Sequence, residues 1–308
     1  MKTPTLSVVM SVYNTKKYLA EAIDSILQQT FKDFEFVIID DGSTDGSTKI
    51  IDYFAARDSR IKVIKQKNQG LVYSLNKAVK ATRGELIARM DADDVSEKNR
   101  LKLQINEFIN NSGLVILGTG FTNIGPNGSK LRSSEYSSSL SYSDEDIKRE
   151  LFVRCPFAHG SVMFNKKAAI RAGLYRDNVG PTEDYDLWIR LRKKGDYKNL
   201  PQKLFMYRVL ETSVSNTHSD SQRGFTVKLI EDLWSVESPK VVSGWELYKA
   251  LRALPQEEKD NFIHTQNCIM SYSKKYRYKK LLLAQKRFFV LVAGGSKAAS
   301  IKKRLIKK

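Results

Sequence analysis

The sequence GELIARMDADD, residues 84–94, decides the fold of this chain, because a short apolar run ends there in three carboxylates. The run is too short for a helix and predicts a buried strand over residues 86–90. In an open α/β sheet, the C-terminal ends of the strands border the ligand crevice. Carboxylates gathered there repel one another unless a cation or donors neutralise them, so a hard divalent cation is one expectation. A polar loop or helix cap is the alternative.

Strand and helix patterns alternate through the residues that precede this stretch. Apolar runs predict strands at residues 6–12, 34–39 and 61–64. Apolar residues at helical spacing predict helices at residues 16–29 and 71–81, and another around Ile50, Ile51 and Phe54. This order predicts parallel βαβ units and a Rossmann-like half-sheet. No Gly-x-Gly-x-x-Gly follows the first strand, so the usual dinucleotide site is not supported.

The second half of the chain mixes the same elements with a polar excursion. The patterns predict helices at residues 99–110 and 167–172 and strands at residues 114–117, 161–164 and 204–207. Residues 125–145 are rich in Ser, Gly and Asn and predict a surface excursion. We therefore expect one domain over residues 1–215, with a nucleotide-binding half at 1–95 and an acceptor half at 96–215. A helical C-terminal region with a basic tail is expected at residues 216–308.

A second group of acids stands at Glu183, Asp184 and Asp186, after Pro181 and Thr182, which announce the start of a helix. Acids in a first helical turn are common because they satisfy free N–H groups and the helix dipole. A structural role is therefore the simplest interpretation of this group taken alone.

Length and composition predict a protein with a substantial core. Two cysteines, Cys155 and Cys268, form no disulfide framework, which favours a reducing compartment. The first residues lack the pattern of a signal peptide, and no run reaches the roughly 20 apolar residues of a transmembrane helix. The expectation is a soluble cytoplasmic protein.

The formal net charge of +18 is concentrated at one end of the chain. Residues 261–308 hold 13 Lys and Arg and no Asp or Glu, so the first 260 residues carry 39 basic against 34 acidic residues. Such a tail can bind nucleic acid, an anionic membrane surface or nothing. Clustered lysines beside the apolar runs at 281–283 and 288–292 predict peripheral attachment to the inner face of the cell membrane. Packing of the tail on the domain is the alternative.

Five motifs in order make the chain similar to a family 2 glycosyltransferase of the GT-A fold over residues 5–215. They are VMSVYN at 9–14, IDDGSTD at 39–45, NQG at 68–70, DADD at 91–94, and Glu183-Asp184 followed by Leu187-Trp188. The resemblance implies an α/β, Rossmann-like fold with a mostly parallel central sheet.

The resemblance also implies a donor site for a nucleotide-diphosphate sugar. In the family pattern Tyr13 packs on the base, Asp40 accepts a hydrogen bond from uracil N3–H, and Asp91 lies near the ribose. The same motifs add three donor-binding residues, Ser11, Asn14 and Ala92.

The family's catalytic pattern falls on the two acidic groups. Asp93, with Asp91, would bind the Mn²⁺ or Mg²⁺ that bridges the diphosphate. Asp184 would be the general base, Glu183 would support it, and Trp188 would pack nearby. Less strongly, the pattern nominates His159 and His218 as residues near the donor or the metal.

Two positions depart from the family pattern. Ser11 stands where many members have Pro, and Leu75 stands where many have Arg. The missing Arg removes a cationic contact to the donor, so the phosphates would depend on the metal and on later residues such as Arg208.

The implied activity is inverting transfer of a hexose or N-acetylhexosamine, from a UDP-sugar in preference, to a glycan or lipid-linked acceptor in surface polysaccharide biosynthesis. Residues 91–95 also fit the nucleophile motif of a haloacid dehalogenase-type phosphatase, although that motif normally follows the first strand. A nucleic-acid-binding protein is the rival from another class, because Tyr276, Arg277 and Tyr278 interleave with lysines. The acidic groups would repel a polyanion, so we expect no nucleic acid partner.

Overall fold

The computed structural model describes residues 4–132, 141–152, 154–210, 221–222, 224–226, 228–230 and 232–233. Contacts divide the chain into two units, Met1–Thr226 and Val227–Lys308. The strands and helices named below all lie in the first unit. The basic tail, Cys268 and His218 lie outside the described residues, so the predictions for them stay predictions. In the described part of the chain, no helix is long and apolar enough to cross a bilayer.

The described residues form one sheet flanked by helices. Its strands are β1 (Leu6–Val12), β2 (Phe34–Asp40), β3 (Ile61–Lys65), β4 (Leu86–Asp91), β5 (Val95–Ser96), β6 (Leu114–Ile124), β7 (Met163–Asn165) and β8 (Asp196–Arg208). The helices are α1 (Lys16–Leu27), α2 (Ser47–Ala55), α3 (Leu71–Ala81), α4 (Arg100–Asn110), α5 (Asp144–Glu150), α6 (Lys166–Arg171) and α7 (Glu183–Leu191). Short 3₁₀ turns stand at His159–Ser161 and Asp177–Val179.

The sheet has the strand order β3-β2-β1-β4-β7-β6-β8-β5. The first four strands are parallel, as the alternation of strands and helices predicts. β7 is antiparallel to both β4 and β6, whereas β6 and β8 are parallel. With β5 antiparallel to β8, four of the seven pairings are parallel, which confirms the predicted mostly parallel α/β sheet.

The hydrophobic core lies between the parallel half of the sheet and its helices. Strand β2 is buried along its whole length, because helices cover both faces of the sheet. Helix α1 turns Leu19, Ile23 and Ile26 towards the strands, the face that its helical spacing predicts. This core holds the carboxyl ends of β1, β2 and β4 in register, with Ser11 beside both Ile39 and Asp91.

Several element boundaries differ from the sequence prediction. β8 spans 13 residues rather than the predicted four, because it pairs with β6 along its length, with register shifts. Its polar residues and Pro201 interrupt the apolar pattern, so the sequence does not predict the whole strand. The strand predicted at 161–164 begins only at Met163, after the 3₁₀ turn. α1 ends at Leu27, and the Gln29 side chain instead accepts from the Leu101 N–H.

Helix α5 is an element that the prediction missed, since its first residues fall inside the expected surface excursion. Its start carries a recognisable signal: Ser143 caps the helix by accepting from the Asp146 N–H, and three acids follow in the first turn.

Candidate active site

A cavity of about 1310 Å³ opens at the carboxyl edge of the parallel strands. Both acidic groups of the sequence reach it, since its lining includes Asp91, Asp93, Glu183 and Asp184. Tyr13, Asn14, His159 and Arg208 line it as well. The structure therefore brings together residues that lie almost 200 positions apart in the chain. Asp40, Ser11 and Ala92 are not among the described residues that line it.

The loops after β1 and β2 are locked together by side-chain to backbone hydrogen bonds. Asn14 adopts a positive φ of 53°, and its Oδ1 accepts from the Thr44 N–H at 2.8 Å. The Asn14 N–H in turn donates to Ser43 Oγ at 3.2 Å. Tyr13 stands at the edge of this pair of loops with half of its surface exposed. Its ring is available to stack on a flat ligand.

The carboxylates of Asp40, the last residue of β2, and of Asp41, which follows it, hold the neighbouring loops in place. Asp40 accepts from the Ser43 N–H at 3.0 Å and from Thr48 Oγ1 at 2.5 Å, so both of its oxygens hold the start of α2. Asp41 accepts from the backbone N–H groups of Gln69 and Gly70 at 2.8 and 2.9 Å. Asp41 was not predicted as a site residue, yet it fixes the 68–70 loop.

The three carboxylates at the end of β4 and just after it have three different environments. Asp91 forms an ion pair with Arg89. Asp94 is buried; its Oδ1 accepts from the Arg208 N–H at 2.6 Å, whereas its Oδ2 has no hydrogen-bond partner among the described atoms. Asp93 faces the cavity, and burial raises the pKa of its carboxyl. Burial and the charge of Asp93 raise the pKa of Asp94 further.

These residues fit a divalent cation bound to a phosphorylated ligand. Mg²⁺ and Mn²⁺ in such sites use one or two carboxylates together with substrate phosphates, so a full protein cage is not required. The described residues contain no cluster of three or more candidate metal ligands. Asp93 offers a carboxylate that lines the cavity, whereas the Asp91 carboxylate is paired with Arg89.

Arg208 holds the loop that carries these carboxylates. Its Nε donates to the Asp93 carbonyl at 2.7 Å, its Nη2 donates to Glu21 Oε2 at 2.6 Å, and its Nη1 donates to the Gly125 carbonyl at 3.2 Å. The guanidinium also lies 4.6 Å from the Tyr18 ring centroid. The Arg208 guanidinium, which the sequence predicted to bind the donor phosphates, thus donates its hydrogen bonds to acceptors of the protein itself.

Arg89 is a site residue that sequence reasoning overlooked. It is only 3% exposed although it carries a charge, and it lies beneath the cavity on β4. A single arginine inside an apolar strand is the signal that could have revealed it. Its charge lowers the pKa of Asp93, Glu183 and Asp184 against the opposing effect of burial.

The acid pair at the start of α7 sits in a poorly solvated environment. Glu183 is 8% exposed, and burial together with Asp184 raises its pKa to about 7. Burial raises the pKa of Asp184 as well, despite the hydrogen bond from the Tyr185 N–H. The helix dipole alone would lower the pKa values of Glu183 and Asp184. Since both pKa values are raised, the effect of burial is larger than that of the dipole.

His159 stands close to that pair in the turn before β7. Its Nε2 lies 3.1 Å from the Tyr175 hydroxyl, and its Nδ1 lies 3.8 Å from Glu183 Oε1. The turn fits tightly because a Cβ at Gly160 would lie 2.6 Å from Asp91 Oδ2. Trp188 packs edge-on against the His159 ring at 5.9 Å, as predicted for a packing residue.

The model of the family named glycosyl transferase family 2 matches residues 7–174, more than half of the chain. The chain belongs to glycosyl transferase family 2. This membership sets aside the phosphatase interpretation of residues 91–95. The matched range ends before Glu183, Asp184 and Arg208, so the structure is what joins these residues to the family motifs.

Individual family 2 relatives extend the likeness. An O-antigen biosynthesis glycosyltransferase, WbnJ of Escherichia coli, is 34% identical over 69% of this chain and 82% of its own length. A chondroitin synthase of Pasteurella multocida is 28% identical over 73% of this chain, which spans only 23% of that longer protein. Staphylococcus aureus TarS 1-349 in complex with UDP-GlcNAc shares the fold, with a TM-score of 0.59 and 17% identity over 96% of this chain and 83% of that one.

Proposed function

We propose that this glycosyltransferase moves a sugar from a UDP-sugar to a hydroxyl of a glycan or lipid-linked acceptor, with inversion at the anomeric carbon. The observation that carries the proposal is that Asp93 and Asp184 line the same cavity. One acidic group is thereby available for the leaving diphosphate and the other for the attacking hydroxyl.

On the donor side, the locked loops offer the Tyr13 ring to the nucleotide base. Asp93, with Asp91 beside it, would hold the divalent cation, which offsets the charge that develops on the departing nucleotide. Arg208 keeps the Asp93 backbone in place through its hydrogen bond to the carbonyl. Asp40 would support the base site indirectly, because its hydrogen bonds to Ser43 and Thr48 fix the start of α2.

On the acceptor side, Asp184 would accept the proton of the attacking hydroxyl. Burial raises the pKa of Asp184, which brings the carboxylate closer to the operating pH and makes it a stronger base than an exposed Asp. A direct attack on the face opposite the leaving group inverts the anomeric centre. Glu183 shares this desolvated environment and would adjust the basicity of Asp184.

Two relatives support the choice of substrate class. TarS is described in complex with UDP-GlcNAc, and WbnJ is described as acting in O-antigen biosynthesis. A UDP-sugar donor and a role in surface polysaccharide assembly follow as the substrate proposal for this chain. The proposed donor class includes both UDP-hexoses and UDP-N-acetylhexosamines.

A donor screen tests the proposal. Purified protein is incubated with UDP-, GDP- and dTDP-sugars, with Mn²⁺, with Mg²⁺ or with EDTA, and thermal stabilisation and release of nucleotide diphosphate are measured. We expect a UDP-sugar to stabilise the protein and to be consumed only when metal is present. Equal stabilisation with and without metal, or a response to no nucleotide sugar, would contradict the proposal.

A further inference from the structure

A chain of part-buried contacts runs from the nucleotide-binding half to the acid pair. It begins at Asn76 on α3, whose Oδ1 accepts from the Tyr175 N–H at 3.0 Å and whose Nδ2 donates to the Tyr175 carbonyl at 2.9 Å. This two-way amide contact joins residues 99 positions apart. It fixes the backbone of Tyr175 and hence the direction of its side chain.

The second step joins Tyr175 to His159. The Tyr175 hydroxyl lies 3.1 Å from His159 Nε2, and both rings pack edge-on against Trp188. Because Tyr175 is 3% exposed and Trp188 is fully buried, neither ring can turn without repacking the core. The imidazole of His159 is thus held in one orientation.

The third step joins His159 to Glu183. Burial and the nearby Arg89 charge lower the pKa of His159 well below its ordinary value, so the ring is neutral and carries a single N–H. When the Tyr175 hydroxyl donates to Nε2, that N–H stands on Nδ1. Nδ1 lies 3.8 Å from Glu183 Oε1, which is longer than a hydrogen bond; catalytic hydrogen bonds are often long in the absence of substrate and tighten when it binds.

We infer that Tyr175 and His159 are positioning residues that orient Glu183 beside Asp184 for proton transfer. The inference rests on the proposed function, in which Asp184 is the general base. It gives His159 a role different from the metal ligand considered from sequence, because one ring nitrogen is bonded to Tyr175 and the other faces a carboxylate. Neither residue needs to touch the sugar for this purpose.

Tyr175→Phe tests the inference, with Tyr197→Phe as the matched control. Both changes delete one buried hydroxyl hydrogen bond, and the Tyr197 hydroxyl donates to the Trp188 carbonyl, away from the cavity. We expect Tyr175→Phe to lower kcat by about ten- to a hundredfold, since small misplacements near the reacting groups have effects of this size. The donor KM and the Mn²⁺ affinity, measured by electron paramagnetic resonance, should not change. Tyr197→Phe should lower Tm to a similar extent and leave kcat unchanged.

Two amide variants of His159 separate its ring nitrogens. His159→Asn places an amide near the Nδ1 position, and His159→Gln places one near the Nε2 position. We expect His159→Asn to retain more of kcat, because it keeps a donor facing Glu183. ¹⁵N spectra of the three histidines in the chain, with His159 assigned from the missing signals of a variant, should show the Nδ1–H tautomer in the native protein.

The contrary results would contradict either the inference about Tyr175 and His159 or the proposed function. Equal kcat for Tyr175→Phe and Tyr197→Phe, or a better activity of His159→Gln than of His159→Asn, overturns the inference. A loss of Mn²⁺ affinity in either His159 variant also overturns it, since His159 would then be a metal ligand. If Asp184→Asn retains full transfer, the proposed function itself fails; if that variant loses transfer while Tyr175→Phe behaves as the control, only the inference fails.

Discussion

Two pairs of carboxylates, one on the donor side of the molecule and one on the acceptor side, have opposite environments. On the donor side, Asp40 and Asp41 accept hydrogen bonds from backbone N–H groups or a hydroxyl and hold loops in place. On the acceptor side, Glu183 is buried and the adjacent Asp184 is half-buried, and loss of solvation raises the pKa of both. The supply of donors, rather than the acidity of the motif, separates a structural carboxylate from a reactive one.

This difference has a consequence for stability. A buried carboxylate that accepts charge-assisted hydrogen bonds stabilises the folded state. A desolvated pair of like charges destabilises it and persists where function requires perturbed pKa values. We therefore expect substitutions on the donor side to lower stability, and substitutions on the acceptor side to lower turnover while stability is kept or improved.

The largest expected effect is on turnover. Asp184→Asn should reduce transfer by about 10² to 10⁴ with little change in donor affinity, since a missing general base affects the transition state. Initial rates and donor binding by calorimetry measure the two quantities separately. Asp186→Asn, two residues further along the same helix, is the control: Asp186 pairs with Arg190 and should affect stability alone. A collapse of donor affinity in Asp184→Asn would place Asp184 among the donor or metal ligands.

The next effect is on stability. Asp41→Asn should lower the free energy of unfolding by about 2 kcal/mol, because the amide group at the buried Asp41 position would place a donor against the Gly70 N–H. Urea denaturation measures the change. Asp58→Asn is a milder control, since Asp58 is bound by Arg60 near the surface. If Asp41→Asn were as stable as the native protein, the donor-side loops would not depend on this carboxylate.

The sequence predicted the parallel half of the fold well and the rest of the sheet less well. β1, β2 and β4 are mostly apolar, since a parallel strand that is buried on both faces does not alternate between apolar and polar residues. β8 was largely missed, because its middle residues are exposed and polar while its ends are buried. Pairing along β6 holds such a strand together, and this is a long-range property that local pattern does not contain.

The candidate site shows the same division. Local motifs pointed to Asp91, Asp93 and Asp184, which do line one cavity. They did not reveal that Arg208 is occupied by Glu21 and two loop carbonyls, or that Asp41 ties a loop. Partners 83 to 187 residues away decide what Arg208 does. A side chain's role is thus set by its acceptors in space, and only its chemical type is visible in the sequence.

A smaller effect is expected on metal-dependent binding. Asp93→Asn should weaken the donor affinity measured with Mn²⁺ by about ten- to a hundredfold, since one carboxylate ligand is lost. The fold should be intact, because the substitution relieves repulsion with Asp94, whose pKa Asp93 raises. Calorimetric titration of the donor with Mn²⁺ and with EDTA gives the comparison. Unchanged affinity for both Mn²⁺ and donor would remove Asp93 from the metal site.

The smallest effect concerns pH and the cost of keeping Glu183 buried. Its folded pKa of about 7 lies above the ordinary value of 4.5, so the folded state binds more protons than the unfolded chain between these values. The stability that protonated Glu183 contributes is complete below pH 4.5 and is lost as the pH rises through about 7. Glu183→Gln, which cannot ionise, should therefore gain stability relative to the native protein as the pH is raised from 5 to 8. Thermal unfolding of both proteins across this range measures the difference. If the stability of the two proteins changed with pH in parallel, the pKa of Glu183 would not be raised in the folded state. The contrast between the donor side and the acceptor side would then depend on Asp184 alone.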